Sequence, residues 1–147
     1  MRNITPHFKE RFSMRTTISF MLLSLTFASP AWALNCDDPE DQATMNACAS
    51  QDHARADKEL NAVYHKVTGR LTDEHETKSA LVKAQRAWIA YRDAECDFRV
   101  SGMDGGTAAP MVGTQCRTEL TEDRSRALQS YLDCEEGDLS CPLPAGD

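Results

Sequence analysis

Six cysteines constrain this chain more than any other feature. Cys36, Cys48, Cys96, Cys116, Cys134 and Cys141 all follow an N-terminal stretch that contains none. An even number of cysteines in a short exported chain signals a disulfide framework. The N-terminus supplies the export signature. Arg2, Lys9, Arg11 and Arg15 form a positive region, and Thr17 to Ala28 is an apolar run too short to span a bilayer as a mature helix. Ala31-Trp32-Ala33 then gives a small-x-small cleavage site. Residues 1–33 are expected to be a signal peptide, with the mature chain beginning near Leu34. Lipid attachment needs a cysteine at the first mature position, whereas Cys36 follows Leu34-Asn35. No second apolar segment follows, so no membrane anchor is expected and the location is read as periplasmic or secreted.

Cleavage leaves 114 residues, enough for one small domain. Four of the 16 basic residues and one of the 23 acidic residues leave with the leader, so the net charge moves from −7 to −10. Such a surface repels nucleic acid and anionic lipid and attracts cationic partners in a salt-dependent way. Acidity also serves plain solubility, so charge alone does not choose a function.

The mature chain reads as all-α. From about Asp41 to Val67, with Leu71 beyond it, Ala56, Leu60, Val63, Tyr64, Val67 and Leu71 recur at steps of three and four. Gly69 is a plausible stop, and Thr72 or Asp73 a plausible cap for the next helix. That second helix is expected over about Glu74 to Phe98, with Leu81, Ala84, Trp88 and Tyr91 as its buried stripe. A third, starting near Val112 or Thr114 and ending at Leu132, carries Leu120, Ala127, Leu128, Tyr131 and Leu132 inward. A connector of about four residues makes the first two helices an antiparallel hairpin, and the third must cover it. The expected fold is a long antiparallel helical hairpin plus a third packed helix, stapled by disulfides.

Two pairing schemes fit this hairpin. Neighbour pairing gives Cys36–Cys48, Cys96–Cys116 and Cys134–Cys141. The rival joins Cys48 to Cys96 across the hairpin, because both lie about equally far from the turn near Leu71, and leaves Cys36 for Cys116. Cys134–Cys141 is expected as a local pair, while the other four cysteines remain open between the schemes.

The densest stretch of the chain is Gln85-Arg86-Ala87-Trp88-Ile89-Ala90-Tyr91-Arg92-Asp93-Ala94-Glu95-Cys96. Asp57-x-x-Leu60-Asn61-x-x-Tyr64 precedes it, and Gly105-Gly106-Thr107, Cys116 and Arg124-x-x-x-Leu128 follow. With these motifs the chain resembles the LprI-like family of small exported helical proteins, named after a member that inhibits lysozyme. The resemblance runs from about Cys36 to Leu132. It implies a lysozyme-inhibitor-type binding protein, and hence c-type lysozyme or another cationic protein as partner. Two departures stand out: the namesake is lipid-anchored, and Cys134 and Cys141 lie outside the family's usual core. The domain reading is thus signal peptide 1–33, LprI-like helical domain 34–133, and a short acidic disulfide-containing tail 134–147.

The candidate partner-binding residues are Ser101, Gly105, Gly106, Thr107 and Arg92. Gly102 to Pro110 is glycine-rich, and glycosidase inhibitors commonly insert a constrained loop into a cleft whose catalytic carboxylates accept polar donors. Thr107, Ser101 and backbone amides would supply such donors. The competing reading of the loop is a plain helix connector. Arg92 either faces a partner or pairs with an acid on the first helix and fixes helix register. Trp88 and Tyr91 read as core, and Asp57 and Asn61 as polar bonds to the second helix. His53, His65 and His75 lack metal-ligand spacing, and no nucleophile elbow, phosphate loop or zinc-protease motif is present. We therefore expect no cofactor and no enzyme. The alternative function is a non-enzymatic envelope interaction protein with a different protein partner.

Overall fold

The computed structural model describes residues 34–135 and 137–144; the signal-peptide reading falls outside them. Among the described residues there are three helices and no strand: α1 (Gln42–Arg70), α2 (His75–Val100) and α3 (Ala109–Leu132). Each begins or ends within a few residues of expectation. Asp41 opens α1 by accepting a 2.6 Å bond from the Thr44 amide, which holds its carboxyl below the usual range. Gly69 does not stop the helix, which runs on to Arg70. Thr72, expected to cap α2, instead closes α1: its hydroxyl donates to the Gly69 carbonyl at 2.7 Å. Glu74 occupies the N-cap of α2 without a side-chain bond.

α1 and α2 are antiparallel, and α3 runs alongside α1. Gln42 and Asn46 reach Met111 and Thr107 at one end, and Arg70 reaches the Leu132 carbonyl at the other. α1 and α3 make the most extensive backbone association of the three helix pairs. Small side chains on α1 permit that approach, since Ala49 and Ala56 are buried; Gly113 of α3 is buried on the side toward α2. A Cβ on Gly113 would stand 3.5 Å from the Val100 side chain and 3.4 Å from that of Arg117. The core proper is Leu60, Val67, Leu71, Leu128 and Leu143, with Val63, Tyr64, Leu81, Trp88 and Tyr131 packed on it.

Three departures concern burial. Tyr91, expected inside, is 56 % exposed, and Ala84 and Ala127 are exposed too. α2 meets α3 through Leu81, Gln85, Trp88, Arg92 and Cys96, so the stripe through Ala84 and Tyr91 is rotated off the contact. The acidic tail is the third: Leu143 is buried in the core, and Arg70 ties to the Pro144 carbonyl.

Pairing follows the neighbour scheme. Cys36–Cys48, Cys96–Cys116 and Cys134–Cys141 are bonded, with Cα separations of 5.6, 5.6 and 5.9 Å. The cross-hairpin alternative fails because α1 and α2 approach each other least, with α3 lying against both. Cys96 meets Cys116 on α3 before it can reach Cys48.

Candidate functional site

The connector from α2 to α3 is built from consecutive tight turns. The amide of Ser101 donates to Phe98, Met103 to Val100, Gly106 to Met103 and Ala109 to Gly106, at 2.9 to 3.2 Å. Two glycines make this path possible. Gly105 has φ +73°, the left-handed region that side chains disfavour, and a Cβ on Gly106 would lie 3.0 Å from the Met103 carbonyl oxygen. Ser101, Gly105, Gly106 and Thr107 are all exposed, so four of the five candidate residues share one surface segment.

The segment is anchored on two sides. Cys96–Cys116 joins the helices just beneath it, and Asn46 on α1 donates from Nδ2 to the Thr107 carbonyl at 3.3 Å. Asn46 is the contributor that sequence reading missed. Nothing local marks it, because its partner lies 61 residues away. Cys36–Cys48 fastens the N-terminal strand of coil to the same end of α1.

Arg92 is elsewhere. It sits more than two turns down α2 from Ser101, and its side chain is only 13 % exposed. No acid on α1 pairs with it. Its Nε and Nη2 both donate to Asp93 Oδ1 at 2.9 Å, its Nη1 reaches the buried Thr121 hydroxyl at 3.5 Å, and its guanidinium lies 5.2 Å from the Trp88 ring centroid. Around it the α2–α3 seam is a ladder of polar contacts. Arg117 binds Asp97 at 2.6 Å and approaches Asp93 at 3.8 Å; Arg99 binds Glu119 at 2.9 Å; Arg124 donates to Gln85 at 2.9 Å. The geometry makes Arg92 a joint between α2 and α3. Asp57 and Asn61, expected to reach α2, bond to each other at 3.0 Å.

His53 on α1 borders this ladder. Its Nδ1 is buried without a partner among the described residues, and desolvation, with Arg92 next, lowers its pKa. It is held neutral.

A disulfide-stapled three-helix domain that displays a pinned glycine connector at one end is, by class, a small helical scaffold presenting a surface loop. The chain belongs to the LprI family: residues 36–128 match the family model described as lysozyme inhibitor LprI. It is similar to the uncharacterised protein R02472 of Rhizobium meliloti (strain 1021), with 34 % identity over 138 residues, covering 84 % of this chain and 99 % of the relative. It is also similar to the uncharacterised protein YecT of Escherichia coli (strain K12), with 29 % identity over 118 residues, 71 % of this chain and 73 % of the relative. No solved structure matches the chain. No helix among the described residues is long and apolar enough to cross a membrane.

Proposed function

We propose that this protein is an exported inhibitor that binds c-type lysozyme and occludes its substrate cleft with the connector of residues 101–110. The observation that carries the reading is the connector itself: exposed, shaped by Gly105 and Gly106, and held at its base by Cys96–Cys116 and on its flank by Asn46. A pre-shaped loop loses little conformational freedom on insertion, which favours tight binding from a small contact. The family's description as lysozyme inhibitors supplies the partner. A mature net charge of −10 would steer encounter with a cationic enzyme. Ser101 and Thr107 present hydroxyls, and the turn amides add donors, toward cleft carboxylates. Three disulfides fit an oxidising compartment and with it removal of residues 1–33 on export. In this reading Arg92 acts by positioning α2 on α3, and the loop makes the contact.

The test is a cell-wall clearing assay in which the oxidised protein is titrated against c-type lysozyme at low and physiological salt. An equally acidic unrelated protein serves as control. Stoichiometric inhibition that persists at physiological salt is expected. Gly105→Val combined with Gly106→Val should remove it while circular dichroism keeps the helices. Inhibition equal to that of the acidic control would overturn the reading.

A further inference from the structure

α2 carries an apolar seam that nothing in the monomer covers. Ala80, Ala84, Ala87, Tyr91, Ala94 and Phe98 follow one another at steps of four, three, four, three and four, and every one is exposed. Phe98 is 73 % and Tyr91 56 % accessible. Strict alternation of three and four is the 3.5-residue repeat by which one helix seats against another, rather than the broader stripe of a helix packed on a globular core.

The order of large and small residues along the seam says what covers it. Laid antiparallel on a second copy of itself about a two-fold axis near residue 89, α2 sets Phe98 opposite Ala80, Tyr91 opposite Ala87 and Ala84 opposite Ala94. Each aromatic side chain meets an alanine, and the remaining pair is small on small. Parallel pairing in register would instead stack Phe98 on Phe98 and Tyr91 on Tyr91. Two further observations agree. The knob at Phe98 would enter the hole formed by Thr77, Ala80, Leu81 and Ala84 of the other copy. Those four residues form the α2 wall of a mainly apolar cleft of about 230 Å³ that also touches Val67, Tyr131 and Leu143. A cavity of about 150 Å³ already accepts a benzene ring. The charges also match. Lys83, exposed and without an ion pair among the described residues, falls beside Asp97 of the other copy. Asp97 binds Arg117 in its own chain yet remains 70 % exposed, so its carboxylate has room for a second cation.

We propose that the protein forms a symmetric dimer through antiparallel packing of α2 on α2, with Phe98 of each copy seated in the cleft mouth of the other. The two-fold makes the contact self-complementary and closed, so association stops at two. It places the two 101–110 connectors at opposite ends of the pair. The inference is independent of what those connectors bind.

Sedimentation velocity of the disulfide-intact protein, expressed with its own leader, tests this over a dilution series. A reversible monomer–dimer equilibrium is expected. Phe98→Ala should weaken it by about tenfold or more and Ala87→Glu should abolish it, both with helicity unchanged. Orientation is read by cross-linking. A mixture of Ala84→Cys and Ala94→Cys proteins should form a disulfide-linked dimer, whereas Ala84→Cys alone should not, since its two copies would stand roughly 15 Å apart along the axis. A monomer at every concentration, an equilibrium indifferent to both substitutions, or self-cross-linking of Ala84→Cys would each overturn the proposal.

Discussion

α3 makes two contacts of opposite kinds. Against α1 it is close and apolar, with Ala49, Ala56, Leu60 and Leu128 all buried. Against α2 it is largely polar, held by Arg92, Arg99, Arg117 and Arg124 with Leu81 and Trp88 packed beside them, and Cys96 is the one residue of α2 that is fully buried. Exposed ion pairs are weak, typically well below 1 kcal/mol, while burying a leucine is worth about 2 kcal/mol or more. The α1–α3 pair therefore carries the stability of the fold. α2 is attached to it by a bond that geometry alone does not supply, the Cys96–Cys116 disulfide. A helix held this way packs Leu81 and Trp88 on the core and leaves its other face to present residues to a partner.

The largest effect should come from breaking the apolar contact. Leu128 is fully buried where α3 meets the core, and Leu128→Ala should cost about 2–5 kcal/mol in chemical denaturation. Tyr91→Ala, on the exposed face of α2, should change monomer stability by no more than about 0.5 kcal/mol. Equal costs would show that the two contacts are not so different.

Next in size is the covalent tie. Replacing Cys96 and Cys116 together by serine frees a 20-residue loop, worth about 3 kcal/mol by chain entropy. Its pattern matters more than its total. Hydrogen exchange should accelerate across the C-terminal half of α2 and through the connector, while protection in α1 and in α3 beyond Thr121 persists. Uniform loss of protection would mean that α2 belongs to the cooperative core.

A smaller effect sharpens the role of the polar ladder. Arg92→Ala removes the contacts to Asp93, Thr121 and Trp88 and should cost about 1–3 kcal/mol. Arg92→Lys should recover only part of this, because an ammonium cannot reproduce the fork and the flat contact with the indole ring. If Arg92 positions α2, lysozyme inhibition by either variant should match the starting protein under conditions where the helices remain folded. Inhibition lost in a folded Arg92→Lys protein would make Arg92 a contact residue after all.

The same contrast explains how far the fold could be read in advance. α1 announces itself because it is a one-sided helix: Ala56, Leu60, Val67 and Leu71 recur on the face that is in fact buried. α2 carries two apolar stripes side by side, one through Leu81 and Trp88 and one through Ala84 and Tyr91. Periodicity cannot say which of them meets the core, because an uncovered seam has the same spacing as a covered one. The exposed connector was legible through its glycines. The bonds that pin it were only partly so: Cys96–Cys116 was one of two schemes, and Asn46 carried no signal. The tail misled for a different reason. A short, acidic, proline-containing stretch has no period to read, yet one leucine at its end, Leu143, is enough to make it part of the core.

His53 gives the finest test, since it touches both kinds of contact at once. It projects from α1 toward the α2–α3 ladder, where Arg92, Arg117 and Asp93 face it, and Asp57 lies one turn away on its own helix. Burial lowers its pKa first, the two arginines add to that, and the two aspartates oppose it. The neutral ring is thus the form the fold accepts, and protonation would also give the buried Nδ1 a hydrogen with no acceptor. Unfolded, the same histidine titrates near 6.5. Below that pH the unfolded chain binds a proton that the folded chain resists, so stability must fall as pH drops through 6.5 and toward the lowered folded value. Asp41 and Asp138, whose pKa values are lowered by hydrogen bonds from Thr44 and Ser140, act in the same direction, with losses confined to pH values below about 4. The two windows separate cleanly. Urea midpoints measured from pH 7.5 to 5 should decline, and His53→Gln should flatten that decline while leaving the steeper acid limb in place. A His53→Gln protein with an undiminished slope above pH 5 would show that the ring is hydrated in solution, and that the ladder lies more open to water than its contacts indicate.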